Sequence, residues 1–482
     1  MWTDIFERNY SGFAQQNAES MEQMTKALTA GAGVDASAFT GGRALTPESL
    51  DYTLVNILHN QDEARLFQRI KKQAIKSVVR QWNERSEVGD DAGGWVPEGG
   101  AGSSTDQTIA RKYALAKYLQ TYRSVTLQAA MSDMVENAMA IEKEAGTLWL
   151  IRKVEKALFY GDSSLVSDEP DGLKKLIPAS NVIDMRGAYA NGSTFKNQLT
   201  EALRLIRASF GKGDLLLSST KIVRDISTML SDMYRIPLPV PGGVTQQGVT
   251  VGGGSPGGVA ASAFPMNFPT PFGNPEVLDD IFLSEGVTQA DTSVTTNKPD
   301  QSTISAAARA NDGTGVSKFI ARDAGDYFYK VCGVNRYGEG VTCTAFQVTS
   351  VVADDKVTFR VTPGSTPPTA WVVYRSKVGA ADGSDCREMF RVAYALDSGQ
   401  AYQTITDYNL DLPGCSDSYL LTMNPLFNAI EWFQFLPMMK FDLYPATTAV
   451  YPFLMLLFGG LGLLKPVQHV RIKNICPSDG WY

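Results

Sequence analysis

Residues 132–162 read SDMVENAMAIEKEAGTLWLIRKVEKALFYGD, and this stretch decides how the rest of the chain is organised. Met134, Ala138, Ile141, Ala145, Leu148 and Ile151 recur at the three-to-four spacing that gathers side chains on one helical face. Asp133 followed by Glu136 suits a capping box, in which each side chain satisfies backbone N–H groups that the first turn leaves unpaired. Gly161, able to take positive φ, is the expected stop after Phe159-Tyr160. At about thirty residues the helix would run roughly 45 Å at 1.5 Å per residue. A helix of that length crosses a whole domain and acts as its spine. Its charged face, with Glu142, Lys143, Arg152, Lys153 and Glu155, is expected to meet solvent or a neighbouring subunit.

Composition narrows the classes of function. The 482 residues leave room for two or three domains, and 44% hydrophobic with 20% charged residues is ordinary for a folded protein. The net charge of −7 provides no basic footprint for a dedicated nucleic-acid binder. Five cysteines without a CxxC pair, and only His59 and His469, argue against a zinc site or a histidine-based catalytic triad. His59, among Leu54, Ile57 and Leu58, reads as a packed or surface histidine. Acidic pairs such as Asp90-Asp91, Asp279-Asp280 and Asp354-Asp355 read as turns or solvated faces. No catalytic residue, cofactor or metal is expected, and the chain is not expected to be an enzyme. The start, MWTDIFERNYSG, lacks the basic and apolar regions of a secretory signal. The apolar run Ala446–Leu464 approaches membrane-span length, but Pro452 and Gly459-Gly460-x-Gly462 interrupt it. A buried strand–turn–strand is expected there, and no membrane partner.

Taken in order, residues 1–72 read as a polar helix, a Gly/Ala/Ser arm and a short helix that Thr46 caps. Residues 73–126 read as a long two-stranded hairpin. QAIKSVVRQWN and ARKYALAKYLQTYRSVTLQ are its strands, and the Gly-rich 87–107 segment is its tip. A lone ribbon of this kind is marginal in water. It should therefore rest on another subunit, with Trp95, Pro97, Tyr113 and Tyr118 as contacts. The spine helix and its return occupy 127–190. In 191–286, helix Thr194–Phe210, a Gly-Lys-Gly turn, strand Asp214–Leu217 and a helix through Met229 form a compact α/β unit. The order helix–turn–strand does not suit a phosphate-binding loop. Residues 236–275 read as Pro/Gly-rich loops.

Between 287 and 423 the pattern changes to short strands: Val316–Ile320, Asp326–Asn335, Val341–Val348, Val357–Val361, Trp371–Ser376, Met389–Ala395 and Tyr402–Thr406. DYFYKVCGVNRYGEG, WVVYRSK and DYNLDLPG resemble a fibronectin type III or immunoglobulin-like module, so an inserted all-β sandwich is expected. Cys332 and Cys343 are equidistant from the Tyr337-Gly338 turn. An unbulged hairpin would set them opposite one another for a disulfide, and a bulge would leave two packed thiols.

After this segment, residues 424–482 resume the first domain with NPLFNAIEWFQFLPMMKFDLYP and PFLMLLFGGLGLLKPVQHVRIKNI. The whole order then resembles the Hong Kong 97-type major capsid proteins of tailed bacteriophages. That order is an arm, a hairpin with a Gly-rich tip, a spine helix ending in ALFYGD, an axial helix–strand–helix unit, and a closing apolar strand, Gly-Gly-Leu turn, Pro and RIKNI strand. The resemblance implies an α+β capsid fold that self-assembles into hexamers and pentamers of an icosahedral shell around double-stranded DNA. It further implies portal, scaffold and decoration proteins as partners, non-specific contact with DNA on the inner face, assembly in the host cytoplasm, and the sandwich on the outside of the virion. Lys112 and Lys117 lie on the hairpin, but no Lys/Asn/Glu set is identifiable, so no crosslink is expected. The alternative suggested by the sandwich alone is a cell-surface adhesive protein, which would need an export signal or anchor.

Overall fold

The computed structural model describes residues 64–85, 95–100, 107–131, 137–233, 268, 270–283, 297–444 and 449–478. The N-terminal arm, His59, the Asp133–Glu136 capping box, most of the Gly-rich tip and most of 236–267 lie outside the described residues. The chain divides into two units, 1–57 with 128–141 and 58–127 with 142–482. Helix α2 (Leu127–Met131) and the start of the spine enter the first; the description below concerns the second.

The spine is helix α3, Ala138–Tyr160. From residue 146 on it buries Leu148, Leu150, Ile151, Val154, Glu155, Leu158 and Phe159. From Ile151 onward these fall at i, i+3, i+4 and i+7, a stripe on one face. The stripe packs on α1 (Arg65–Arg69) and on residues of two sheets, including Leu217, Tyr419, Trp432 and Leu461. Each fully buried Leu or Phe here contributes about 1.5–3 kcal/mol. Gly161 ends the helix for a reason other than positive φ. A Cβ there would collide with the carbonyls of Pro170 and Ala157, because the return segment crosses directly over it. That crossing is held by Gly161 N–H on Ala157 and by Gly172 N–H on Gly161.

The first sheet has the order β1 (Lys72–Ala74), β17 (Ile430–Asp442), β18 (Val450–Leu463) and β4 (Lys117–Thr126). The Gly-Gly-Leu segment is no turn, and the expected strand–turn–strand is one unbroken strand. Its glycines lie beneath aromatic rings: a Cβ on Gly459 would be 2.8 Å from the Trp432 ring, and one on Gly462 2.5 Å from Phe433. The rings fill the space that side chains would otherwise occupy, so the ladder continues through all three glycines. The hairpin is also shorter than expected, because β4 pairs with β18 from Lys117 to Thr126. Among the described residues, the ribbon consists of β2 (Val79–Arg85) and β3 (Ile109–Leu115), in register from Val79↔Leu115 to Arg85↔Ile109.

A second, mixed sheet has the order β5 (Val182–Asp184), β19 (Val470–Ile475), β16 (Ser416–Leu421), β6 (Leu215–Ser218) and β7 (Glu276–Asp279). Alternation sends Leu215, Leu217, Tyr419 and Leu421 toward the spine core. Leu216, Leu420, Val470 and Ile472 point to the other face, against α5 (Ser193–Ala208) and α6 (Thr220–Met233). Both faces are covered, which is why LLLS is buried at every position. The return from the spine carries the short α4 (Leu173–Leu176) ahead of β5. Assigning residues up to 423 to the sandwich segment is corrected here: β16 belongs to the middle of this sheet.

Between β7 and β16 lie two further sheets. One joins β10 (Gly338–Glu339) and β11 (Phe346–Val351) to one edge of β9 (Gly325–Asn335), with β13 (Ala370–Arg375) and β14 (Arg387–Ala393) on the other. The other has the order β15 (Gln403–Asp407), β12 (Asp355–Thr362), β8 (Thr303–Asn311). They share one core of Tyr327, Tyr329, Val331, Trp371 and Val373 against Val357, Phe359, Val361 and Ile405. Val316–Ile320 is irregular rather than a strand, and the Ala-rich β8, unforeseen, takes its place through ladder bonds to β12. The opposite face of β9 and β13, with Cys332, Val334, Val372 and Tyr374, packs on Leu165 and Val166 beyond the spine.

Of the two alternatives for Cys332 and Cys343, the structure has the packed thiols, and all five cysteines are free. Cys343 N–H bonds Val331 O at 2.9 Å, so Cys343 stands opposite Val331 and not Cys332. A slip of one residue turns a side chain to the other face. Cys343 therefore lies in the core those two sheets share and Cys332 on the opposite face of β9, beside Tyr374 Oη at 3.7 Å. Burial pushes the thiol of Cys332 up to about 12 and that of Cys343 up to about 11.

Candidate subunit-contact surface

No residue of β2 or β3 is buried. Val79, Ile109, Tyr113 and Leu115 are exposed, Tyr113 at 68%, and Trp95 beyond β2 is 99% exposed. Pro97 is exposed beside it. Two strands without a covering layer do not supply enough burial to hold themselves. The ribbon's base is anchored by Ala116, 2% exposed, whose N–H bonds Val78 O at 2.8 Å. Below it, a cleft of about 390 Å³ is lined by Trp82, Tyr113, Lys117, Asp171, Leu461 and others. Lys117 donates to Ser167 O, and Lys112 lies 4.0 Å from Glu84.

The first sheet continues this apolar surface. Its inward side chains, such as Met455 and Leu457, are buried, while its outward row carries Tyr118, Tyr122, Met439 and Phe441, all more than 40% exposed. Register sets Tyr122 beside Leu454 and Leu454 beside Phe441; Tyr118 stands beside Phe458, their rings edge-on at 4.9 Å. Tyr122, Met439 and Phe441 were absent from the expected contacts. The alternation in FQFLPMMKFDLY carries the signal, since every second residue from Phe435 to Phe441 is exposed.

The spine contributes less than expected. Arg152 is exposed, and Glu142 is half-buried with Arg123 at 3.4 Å. Glu155 is the correction: it is 0% exposed and cannot meet a neighbour. Its carboxylate accepts the N–H groups of Leu66 at 2.7 Å and Phe67 at 2.9 Å, the unpaired donors that open α1. Burial, with the carboxyl of Asp280 alongside, raises Glu155 well above the usual range; burial also raises Asp280 to about 6.

A comparison with protein families returns no match. The chain is 24% identical over 488 residues to the major capsid protein of Staphylococcus phage S25-3, covering 97% of this chain and 98% of that one. The major capsid protein of Staphylococcus phage K shows the same identity and coverage. A protein of Enterococcus phage phiEF24C, provisionally named a major capsid protein, is 25% identical over 482 residues and 96% of each chain. Among solved structures, the capsid of a native GTA particle gives a TM-score of 0.45 at 10% identity, over 92% of this chain and 100% of that one. The capsid of phage XM1 gives 0.43 at 9%, with the same coverage. The SrpI encapsulin complex from Synechococcus elongatus PCC 7942 gives 0.41 at 9%, over 93% and 98%. It is the sequence relatives, aligned from end to end, that carry the functional conclusion: the chain serves as a phage major capsid protein.

Proposed function

We propose that this chain is the shell subunit of a Hong Kong 97-type icosahedral virion and assembles with copies of itself into hexamers and pentamers around double-stranded DNA. The observation that supports the mode of contact is the ribbon of β2 and β3, which has no buried residue and continues into an exposed aromatic row. A second subunit beneath the ribbon supplies the burial it lacks, with Trp95, Pro97, Tyr113 and Tyr118 at the contact, and Glu142 and Arg152 at its edge. The full-length likeness to capsid proteins favours this reading over the adhesive one. Residues between β7 and β16 form, on this reading, an immunoglobulin- or fibronectin-like domain inserted in the shell subunit and carried on its outer surface. Portal, scaffold and decoration proteins, and assembly in the host cytoplasm, complete the picture.

Purified full-length chain, viewed by negative-stain electron microscopy, is expected to show closed shells. Tyr113→Asp and Tyr118→Asp should leave a folded subunit that no longer assembles, because each places a charge at the apolar contact. Particles that form equally well in both variants would remove the ribbon from the interface. Wild-type chain that remains a monomer at every concentration and salt would overturn the shell reading.

A further inference from the structure

The fifth cysteine, the one outside the sandwich segment, has a partner. Cys415 precedes β16 and Cys476 follows β19, and Ser416 and Ile475 face each other in the antiparallel ladder. One step further along that ladder sets Cys415 opposite Cys476, and their Sγ atoms are 2.8 Å apart. Directly opposed residues of an antiparallel pair have Cα atoms about 4.5–5.5 Å apart, inside the range a disulfide spans. Both backbones are independently held. Cys476 N–H bonds Ala188 O at 3.1 Å, Leu412 N–H bonds Asn474 Oδ1 at 2.9 Å, and Cys415 N–H bonds Leu412 O at 3.4 Å. Cys476 is fully buried, while Cys415 is partly exposed and can meet a reagent. The remaining thiols, Cys332, Cys343 and Cys386, are buried apart from this pair.

We propose that Cys415 and Cys476 form a redox-sensitive cross-strand disulfide that closes when the protein meets a low-molecular-weight disulfide. The thiolate of Cys415 attacks one sulfur of oxidised glutathione, breaking its S–S bond and releasing one glutathione thiolate. Cys476, having given up its proton, attacks the Cys415 sulfur of the mixed disulfide and releases the second glutathione. The protein loses two protons and two electrons, and the glutathione disulfide gains them as two thiols. Burial raises the Cys415 thiol above its ordinary range, so the first step quickens as pH rises. The bond ties the final strand to the strand that enters the mixed sheet after the sandwich. It thereby closes a loop that contains all of β17 and β18, and it acts chiefly by restricting the unfolded chain.

The test uses the full chain, incubated with oxidised glutathione or with dithiothreitol, alkylated under denaturing conditions, digested and weighed. The oxidised sample is expected to contain a Cys415–Cys476 peptide pair two hydrogens lighter than the sum of its parts, with Cys332, Cys343 and Cys386 alkylated. The same sample should melt at a higher temperature than the reduced one, and Cys476→Ser should abolish that difference. Five alkylated cysteines after oxidation, a stable glutathione adduct on Cys415 with Cys476 alkylated, or an undiminished melting shift in Cys476→Ser would each overturn the proposal.

Discussion

At the scale of single residues, buried charge decides more than surface charge. Glu155 sits four residues after Ile151 and four before Phe159, so the spacing that defines the apolar stripe includes it, and its charge is what assigned it to the outer face instead. What it does there was not legible, because its partners, Leu66 and Phe67, are 89 and 88 residues away. Glu155→Ala would leave two buried N–H groups unpaired and should cost about 2–4 kcal/mol in urea unfolding. Asp280, raised from 3.8 to about 6, favours the folded state when protonated; that contribution is complete below about 3.8 and is lost as pH rises through about 6. His469, lowered by burial to about 4, acts in the opposite sense and loses stability as pH falls from 6.5 to 4. Asp280→Asn removes the first contribution, relieves Glu155 of the carboxyl that helps raise it, which acts in the same direction, and leaves His469 unchanged. Its stability relative to wild type should therefore increase between pH 4 and pH 7, and a constant difference would refute the assignment. Between β13 and β15, Arg375 and Asp407 pair at 2.7 Å, 0% and 1% exposed, with Tyr329 Oη also donating to Asp407 at 2.9 Å. Arg375→Met strands that carboxylate and should cost about 3–5 kcal/mol by the same measurement.

Elements were legible where one period dominated and misread where glycine or alanine broke the pattern. The spine, α5, α6 and the strand LLLS follow from spacing. The Gly459-Gly460-x-Gly462 cluster suggested a turn because glycine weakens an isolated strand. The strand survives because Phe433 and Trp432, on the neighbouring β17, cover the glycines. Gly462→Val would put its Cβ 2.5 Å from the Phe433 ring, and the overpacking should lower stability by about 1–3 kcal/mol or more. A loss below 0.5 kcal/mol on thermal unfolding would show that the ring yields. Between a Cys332–Cys343 bridge and two packed thiols, a single residue of register decides for the thiols, and symmetric spacing about a turn does not specify it. The true opposed pair, Cys415 and Cys476, is 61 residues apart in sequence and brought together only by sheet formation.

At the scale of the molecule, the mixed sheet lies between the spine core and the α5–α6 layer, and strands from distant parts of the chain build it. Domain boundaries inferred from composition missed this. Residues 287–423 share a Thr/Ser/Asp-rich, short-strand character, yet β16 at their end pairs with both β19 and β6. Deleting 287–423 should therefore yield insoluble chain, since it opens the sheet between two buried strands. A deletion ending before Cys415 retains β16, and a larger soluble fraction on expression is expected of it. Equal solubility of the two deletions would contradict the role given to β16.

The sequence by itself determined the long helix, the helix–strand–helix order, the presence of a strand-rich segment and the exposed aromatic hairpin, because each depends on contacts within a few residues or on a local period. Tertiary structure alone decided that Glu155 caps a distant helix, that β4 leaves the hairpin for β18, that the triple glycine stays in a strand, and that Cys415 meets Cys476. Each of these depends on which segment lies alongside, and a local pattern sets a side chain's direction but not its neighbour.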